Sequence, residues 1–483
     1  MEKKLIYDIG DKPKFGQMLI FALQQVLAIL AATIAVPTII GLPTQIPAAI
    51  LGAGIGTLVY QIFTKFKSPV FLGSSFAFLS SLGVALSYGY CGIILGSIVA
   101  GLAYVAIAMV IRFTGTGWVN RLMPPVIIGP TVALIGLSLA GNAMGDIVKA
   151  NSSQMYGGYN LAALLCGLVA FFVIVICSTQ KRVRMARLIP FIIGISAGYA
   201  VAAIFTLIGH VTGADYLMII DFAPVVNNFV GADGNFAGLS AFLQVPDIAL
   251  VEGIRELTTG NMAPEILGAN PNAKLLGLGG VAEVVIAFLP VALVVFAEHI
   301  ADHKNLSSII DRDLIKEPGL DRTLLGDGVG SIAGTMFGIC PNTTYGESVG
   351  CVAITRNASI ATITTTAFMC MILSFISPVM AILRTIPSCV MGGVCLTLYG
   401  FIAVSGLKMF KDLDLNESKN LFVVASILIS GIGGLTIQIP YMISGGVITN
   451  TIQVTSIATA LIIGILTNAV LTKLEKSKLG QEK

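Results

Sequence analysis

The chain has 483 residues, of which 55% are hydrophobic and only 11% are charged, against roughly 25% charged residues in a typical soluble domain. So few charges cannot cover a soluble fold of this length. Apolar runs of about 20 residues, long enough to span a hydrocarbon core, recur along the chain. The composition therefore predicts an all-α polytopic membrane protein. A net charge of +3 gives no reason to expect a nucleic-acid partner.

The first half of the chain begins with a polar stretch, residues 1–16, whose lysines include Lys3 and Lys4. The positive-inside tendency assigns this stretch to the cytoplasm. The third apolar segment is short and interrupted by glycine and serine, which predicts a broken span. Seven apolar segments follow the polar stretch, at residues 17–39, 46–64, 68–82, 88–112, 121–146, 158–178 and 187–210.

Residues 211–278 differ from the rest, with seven acidic side chains against Arg255 and Lys274. After an odd number of spans from a cytoplasmic start, this segment is predicted to be an extracellular loop or cap with short helices. The tail, 473–483, is predicted to be cytoplasmic. Seven further spans bring the total to fourteen, at residues 280–302, 322–337, a broken 338–350, 355–380, 386–406, 418–438 and 449–472.

The two halves show weak internal similarity. Pro124 and Gly129 begin the fifth segment with the same spacing as Pro387 and Gly392 in the twelfth, and the broken third and tenth segments also correspond. An odd number of spans in each half gives the two copies opposite topology in the membrane. Inverted repeats with interrupted segments indicate a secondary transporter whose substrate site lies near the membrane midplane.

Three acids inside apolar segments are the strongest site candidates. Glu298 and Asp302 lie one helical turn apart, and Glu347 lies in the broken tenth segment. An acid in a membrane span costs about 2.5 kcal/mol or more and persists when it is paired or lines a cavity. The alternative for Glu298 is that it ends its helix and meets water. Asp327, at the start of the ninth span, is interpreted either as a helix cap or as a coupling residue.

Other features allow two interpretations. His299 and His303 have the spacing of a zinc site, which would suit an intramembrane metalloenzyme, but Ile300 stands where that motif has glutamate. Phe76, between Phe71 and Phe78, either packs or stacks on a flat substrate ring. Two further assignments are structural: an interhelical hydrogen bond for the pair Gln24–Gln25, and an interfacial position for Glu283.

Two motifs carry a resemblance to a known family. The run 297–302 (AEHIAD) and the stretch 341–356 (PNTTYGESVGCVAITR) resemble the paired signatures of the nucleobase/ascorbate transporter family, most closely its bacterial uracil permeases. Supporting stretches are Gln24–Gln25 with 31–37, the segment 73–78, and 124–130 with 134–140. The resemblance covers nearly the whole chain except 211–278.

The resemblance implies a fold of two inverted seven-span repeats. A core domain would comprise residues 17–112 and 279–382, and a gate domain that also carries homodimer contacts would comprise 121–210 and 386–472. Short extended strands in the broken third and tenth segments would pair with each other. The implied location is the cell inner or plasma membrane, crossed many times and in contact with its lipid, with both termini cytoplasmic.

The resemblance also assigns roles to residues. Glu298 and Glu347 would bind the nucleobase, Phe76 would line the pocket, and Tyr345 and Gly346 would supply neighbouring contacts. A carboxylate accepts hydrogen bonds from ring N–H groups, which suits uracil. No cofactor or metal is expected apart from the coupling ion.

The choice of substrate and of coupling ion depends on a few residues of the two signatures. Asp302 stands where close uracil permeases have histidine and resembles the xanthine and urate branch, whereas Glu347 favours uracil. Ser348 replaces the asparagine of many members. Uracil import by proton symport is therefore expected, with xanthine or another purine, or sodium coupling, as alternatives. Asp302, Asp327 and His303 are the coupling candidates. An anion transporter on a similar fold would place a cation where Glu347 stands.

Overall fold

Long apolar helices dominate the fold. The computed structural model describes residues 5–150, 159–180, 182–183, 186–187, 189–230, 234–444 and 447–481. Within those ranges, nine helices are long and apolar enough to cross a membrane. The predicted multi-pass helical membrane fold is thus confirmed. Lys3 and Lys4 of the predicted cytoplasmic N-terminus, and residues 482–483 of the predicted tail, lie outside the described residues.

The first half of the chain alternates long helices with short ones. Among the described residues of this half there is one strand, and a turn of 3₁₀ helix, Phe76–Phe78, follows it. The elements in chain order are α1 (Phe15–Ile39), α2 (Ile46–Phe63), β1 (Leu72–Ser74), α3 (Leu79–Leu86), α4 (Gly89–Thr114), α5 (Gly117–Leu122), α6 (Pro125–Asp146), α7 (Leu161–Thr179) and α8 (Pro190–Thr212).

The second half repeats this alternation. Three short helices come first, within the segment predicted to be a cap with short helices. The elements in chain order are α9 (Ala223–Phe229), α10 (Ala249–Thr259), α11 (Pro264–Ala269), α12 (Leu278–Ile310), α13 (Leu320–Phe337), β2 (Asn342–Thr344), α14 (Gly346–Thr355), α15 (Ile360–Ser374), α16 (Ser377–Arg384), α17 (Ser388–Lys408), α18 (Ser418–Ile432), β3 (Ile437–Ser444), β4 (Val447–Val454) and α19 (Ser456–Gln481).

Two predicted spans are interrupted. The span expected over 121–146 consists of α5 and α6, and the one expected over 355–380 consists of α15 and α16. Pro124 takes extended backbone angles directly before α6, and Pro387 does the same before α17. Proline fixes its own φ and cannot donate a helical hydrogen bond, so a helix begins after it more readily than it runs through it. The two prolines therefore occupy matching positions.

The predicted all-α class is wrong near the C-terminus. The helix expected over 418–438 ends at Ile432, and the one expected over 449–472 begins at Ser456. Between them, β3 and β4 pair antiparallel as a hairpin, with Ile437 opposite Val454. Gly434 has a φ of 71°, which ends α18 in a conformation that favours glycine.

The helices pack in two groups. One contains α1, α2 and α4 from the first half with α12, α13 and α15 from the second; the other contains α6, α7 and α8 with α17, α18 and α19. Glycine allows close approach within the first group: a Cβ added to Gly56 of α2 would lie 2.8 Å from the carbonyl oxygen of Gly330 on α13. Small residues at such crossings are typical of membrane helices. Each group therefore joins both halves of the chain.

Candidate substrate site

The two short strands meet in the middle of the first helix group. Strand β1 pairs antiparallel with β2, with Gly73 opposite Thr343. The amide of Tyr345 donates to the carbonyl of Phe71 at 3.1 Å, and the amide of Ser75 donates to that of Pro341 at 2.9 Å. These bonds satisfy backbone groups that leave helical pairing in a buried place, as backbone at membrane depth requires.

Gly73 and Tyr345 fit together at this crossing. A Cβ at Gly73 would lie 2.3 Å from the Tyr345 ring, so a larger residue would displace the ring. The Tyr345 hydroxyl donates to the Ser74 carbonyl at 3.0 Å. Tyr345 therefore fastens β2 to β1, in addition to standing next to the predicted site.

The structure brings the predicted acids to the end of β2. Glu347 lies in the first turn of α14, directly after the strand, and Glu298 and Asp302 come from α12. Thr344 donates its hydroxyl to Asp302 Oδ2 at 2.7 Å. Glu298 lies within electrostatic range of both Asp302 and Glu347. Three carboxylates from two helices therefore converge on one strand end.

Glu298 has an unmatched acceptor. Helix α12 continues to Ile310, so the alternative in which Glu298 ends its helix and meets water is wrong. Its Oε2 atom is buried without a hydrogen-bond partner among the described residues. Leaving a buried acceptor unsatisfied costs about 1–3 kcal/mol. The side chains of Glu298 and Glu347 are half-buried and Gly346 is exposed, so the strand end is partly accessible although this oxygen itself is buried.

Aromatic rings surround the same strand end. Phe76 meets Tyr399 of α17 edge to face, with ring centroids 5.4 Å apart. Tyr399 belongs to the second helix group. It was not predicted as a site residue, because in the sequence an aromatic residue in the middle of an apolar helix looks the same whether it packs or contacts a ligand. Phe78 stacks on Phe288 of α12 at 5.4 Å, and Phe71 is fully buried. Those two rings pack, whereas Phe76 lies where the helix groups meet.

The two histidines of α12 lie on a different face of the helix from Glu298 and Asp302. Residues advance by about 100° around a helix, so His299 and His303 lie on the neighbouring face of α12. His299 contacts Asp327 Oδ2 through Nδ1 at 2.7 Å and Thr323 through Nε2 at 3.0 Å. His303 contacts the His299 carbonyl at 2.8 Å and the Tyr60 hydroxyl at 2.8 Å. All four ring nitrogens have protein partners, which argues against the zinc alternative.

The other predicted positions are polar contacts between helices. Asp327 lies in the middle of α13 and is fully buried, so the interpretation of it as a helix cap is wrong. Gln25 Nε2 donates to the Ser348 hydroxyl at 2.5 Å, which confirms the predicted interhelical hydrogen bond for Gln25. Ser348 thus ties α14 to α1. Glu283 accepts a hydrogen bond from the Tyr88 hydroxyl.

Sequence comparisons agree with the predicted family. A family model described as a permease family matches residues 16–440. The uracil permease of Bacillus caldolyticus is 34% identical over 473 residues, which cover 97% of this chain and 95% of that protein. The uracil permease of Bacillus subtilis is 33% identical over 480 residues, or 99% and 98% of the two chains. The uracil permease of Escherichia coli K12 is 30% identical over 436 residues, or 89% and 88%.

Solved structures agree on the fold. The transmembrane domain of the cyanobacterial bicarbonate transporter BicA matches with a TM-score of 0.55 at 14% identity, over 95% of this chain and all of that one. The murine solute carrier 26 family member A9, an anion transporter, matches with a TM-score of 0.56 at 11% identity, over 96% and 69% of the two chains. At such low identity these matches concern the fold alone. The family model and the relatives extend over almost the whole sequence, and the chain therefore belongs to this permease family, as its signatures predicted, and is a membrane transport protein and not an enzyme.

Proposed function

We propose that the protein imports a nucleobase, uracil first, by proton symport. The observation that carries this proposal is the convergence of Glu298 and Glu347 at the end of β2, with one Glu298 oxygen lacking a donor. Uracil presents ring N–H groups, and a carboxylate is an acceptor for such donors. The names of the relatives, uracil permeases from several bacteria, support the same substrate.

The remaining contacts follow from the chemistry of the ring. The carbonyl oxygens of uracil suit the free amides at the start of α14, where the helix dipole is positive and Gly346 leaves the backbone open. Phe76 and Tyr399 offer ring faces and edges to a flat substrate, and Tyr345 holds the strand pair behind it. A substrate beside the contacting rings of Phe76 and Tyr399 would meet both helix groups at once.

We further propose that the chain crosses the membrane in fourteen segments as two inverted repeats of seven. The matching positions of Pro124 and Pro387, and of β1 and β2, support the repeat. The first helix group would be the core domain (17–112 and 279–382), and the second the gate domain (121–210 and 386–472) with the homodimer contacts. By the positive-inside tendency, 211–278 would lie outside and both termini in the cytoplasm of a plasma-membrane protein.

Coupling is proposed to use Asp302. Asp302 and Glu298 lie one turn apart in a buried setting, so having both ionised is costly and a shared proton is favoured. Asp327, which contacts His299, and His303 are the remaining proton candidates. Sodium is the alternative ion, because a hard cation also prefers carboxylate and carbonyl oxygens. The three converging acids speak against an anion as the substrate.

A purine is the second candidate substrate, because Asp302 resembles the xanthine and urate branch. The test is uptake of labelled uracil into proteoliposomes under an imposed pH or sodium gradient, with xanthine, hypoxanthine, thymine and ascorbate as competitors. Uracil accumulation under the pH gradient alone, with xanthine competing weakly, is expected. Accumulation that needs sodium would contradict proton symport, and strong competition by xanthine without uracil uptake would make the protein a purine permease.

A further inference from the structure

A cavity of about 270 Å³ lies where the ends of α2, α4 and α13 meet, and none of the proposed substrate-site residues lines it. Its lining joins the last residues of α2 and α4 to the first residues of α13. Both α2 and α4 belong to the helices that are long and apolar enough to cross a membrane. The cavity is therefore at the level where such helices leave the hydrocarbon.

The charge of this cavity is positive. Lys65, Arg112 and Arg322 line it, against the single carboxylate of Asp321. None of the three cations takes part in an ion pair within the part of the chain that the structure describes. Lys65 follows α2 with a φ of 54°, in a turn that carries its side chain back to the helix ends. Three cations from three separate parts of the chain thus share one space with a single carboxylate.

The wall of the cavity is apolar. Ile62 and Met109 line it from α2 and α4, and their side chains are 63% and 42% exposed. A cationic group beside an exposed apolar wall at a helix end matches a phospholipid, whose phosphate and acyl chain meet at the same depth. Basic pockets between membrane helices on the cytoplasmic side are known to hold anionic head groups.

We propose that this cavity binds the head group of an anionic phospholipid, which the topology proposed above would place in the cytoplasmic leaflet. Arg112 and Arg322 contact the phosphate, since guanidinium groups form bidentate hydrogen bonds with phosphate oxygens. Lys65 adds charge, and Ile62 and Met109 contact the start of an acyl chain. A lipid held there joins the ends of α2, α4 and α13, the helices that carry Tyr60, Tyr104 and Asp327 around the buried histidines.

Native mass spectrometry of the purified protein, titrated with phosphatidylglycerol or phosphatidylcholine, tests the site. Wild type is expected to bind phosphatidylglycerol at least tenfold more tightly. The double variant Arg112→Gln/Arg322→Gln is expected to lose most of that preference. The matched control, Lys408→Gln/Lys411→Gln, removes two exposed charges at the end of α17 and should keep it. Asp321→Asn, which removes the competing carboxylate, should bind phosphatidylglycerol more tightly than wild type.

Three outcomes would overturn the proposal. The first is equal binding of both lipids by wild type, and the second is an unchanged preference in a double variant that elutes as a folded, monodisperse species. The third is displacement of phosphatidylglycerol by millimolar inorganic phosphate, which would make the cavity a site for the free anion. If the double variant does not fold, the Asp321→Asn comparison decides alone, with weaker or unchanged binding counting against the lipid. Since no uracil is present, failure here leaves the transport proposal standing.

Discussion

At the residue scale, the buried acids are held by partners that are distant in the chain. Asp302 binds Thr344, which is 42 positions away, and His299 binds Asp327 at a separation of 28. The partners lie on different elements, Thr344 on strand β2 and Asp327 on helix α13, and only the packing of those elements against α12 brings them together. Tyr399 could not be predicted from the sequence for the same reason, because its place beside Phe76 depends on how the two helix groups meet.

Glu347→Gln is expected to weaken uracil binding at least tenfold, or about 1.4 kcal/mol. The amide keeps the shape of the side chain but replaces an acceptor-only fork with one acceptor and one donor. Isothermal titration calorimetry on the purified, folded variant measures the change. Glu317→Gln is the matched control, because Glu317 is exposed and pairs with Lys67, and its binding should equal that of wild type. Wild-type affinity in the Glu347 variant would remove this residue from the site.

At the element scale, the segment between α8 and α12 is fastened to the helix bundle by carboxylates. Glu256 of α10 is 2% exposed and accepts a hydrogen bond from the amide of Cys91. Gly89 makes room for it: its φ is 64°, and an added Cβ would lie 2.5 Å from Glu256 Oε1. Burial raises the pKa of the Glu256 carboxyl above its ordinary value of 4.5, although backbone donors oppose the shift. Glu256 thus caps the first turn of α4.

A raised pKa in the folded state gives Glu256 a defined pH dependence. The folded protein holds the proton more tightly than the unfolded chain, so this contribution to stability is present below about pH 4.5 and is lost as pH rises through the folded pKa. Glu256→Gln cannot ionise and should reduce the wild-type decrease in unfolding temperature over that range. Thermal unfolding at several pH values measures it. Glu252→Gln, one turn earlier and paired with the exposed Arg255, should follow wild type; if both variants do so, Glu256 does not titrate.

Helices and chain interruptions could be predicted from the sequence where hydropathy, proline and glycine alone determine them. Length and hydropathy located the long helices, and Pro341 with its neighbouring glycines marked the interruption beside β2. The β3–β4 hairpin was not predicted because its two outer ends, 437–438 and 449–454, were assigned to the adjoining spans. A signal was present: β-branched residues alternate with polar ones on both sides of Gly445–Gly446, which is typical of a hairpin. Because the whole chain is apolar, the spans were assigned from the length of the apolar runs, and this alternation was not used.

At the scale of the whole molecule, two helix groups that each join both halves of the chain suit movement of one rigid body against the other. Pro124 and Pro387, which precede α6 and α17, are placed where such a joint would be. The proposed substrate site lies between the groups, since Phe76 belongs to one and Tyr399, which contacts it, to the other. Transport would then alternate access to the carboxylates without dismantling the strand pair.

A covalent link between the groups is therefore expected to stop transport. In a background without the eight native cysteines, a cysteine pair placed where α1 contacts α8 joins the proposed core to the proposed gate. A matched pair between α6 and α17, which pack within one group, should leave uptake near the wild-type rate. Uptake into proteoliposomes, with cross-linking checked by gel mobility, measures both. Normal transport through a complete link between α1 and α8 would contradict rigid-body movement.

Coupling also belongs to the whole molecule, because it connects one carboxyl to a gradient across the membrane. If uracil binds best when Glu298 and Asp302 share one proton, substrate and proton raise each other's affinity by the same factor. Asp302→Asn mimics the protonated state and keeps an oxygen that can accept from Thr344. Uracil binding should persist with a flatter pH dependence, while accumulation driven by a pH gradient is lost.

The readout pairs two measurements on the same Asp302→Asn preparation: uracil binding across pH, and uptake into proteoliposomes under a pH gradient. Asp414→Asn, outside the apolar helices, is the matched control and should bind and accumulate uracil as wild type does. Retained binding with lost accumulation distinguishes a coupling residue from a substrate ligand, whose loss would weaken both. If Asp302→Asn still concentrates uracil under a pH gradient alone, the proton is carried elsewhere. The buried contact between His299 and Asp327, 2.7 Å long, is then the next place to substitute, because a proton held between those two groups would bind and leave without passing through Asp302.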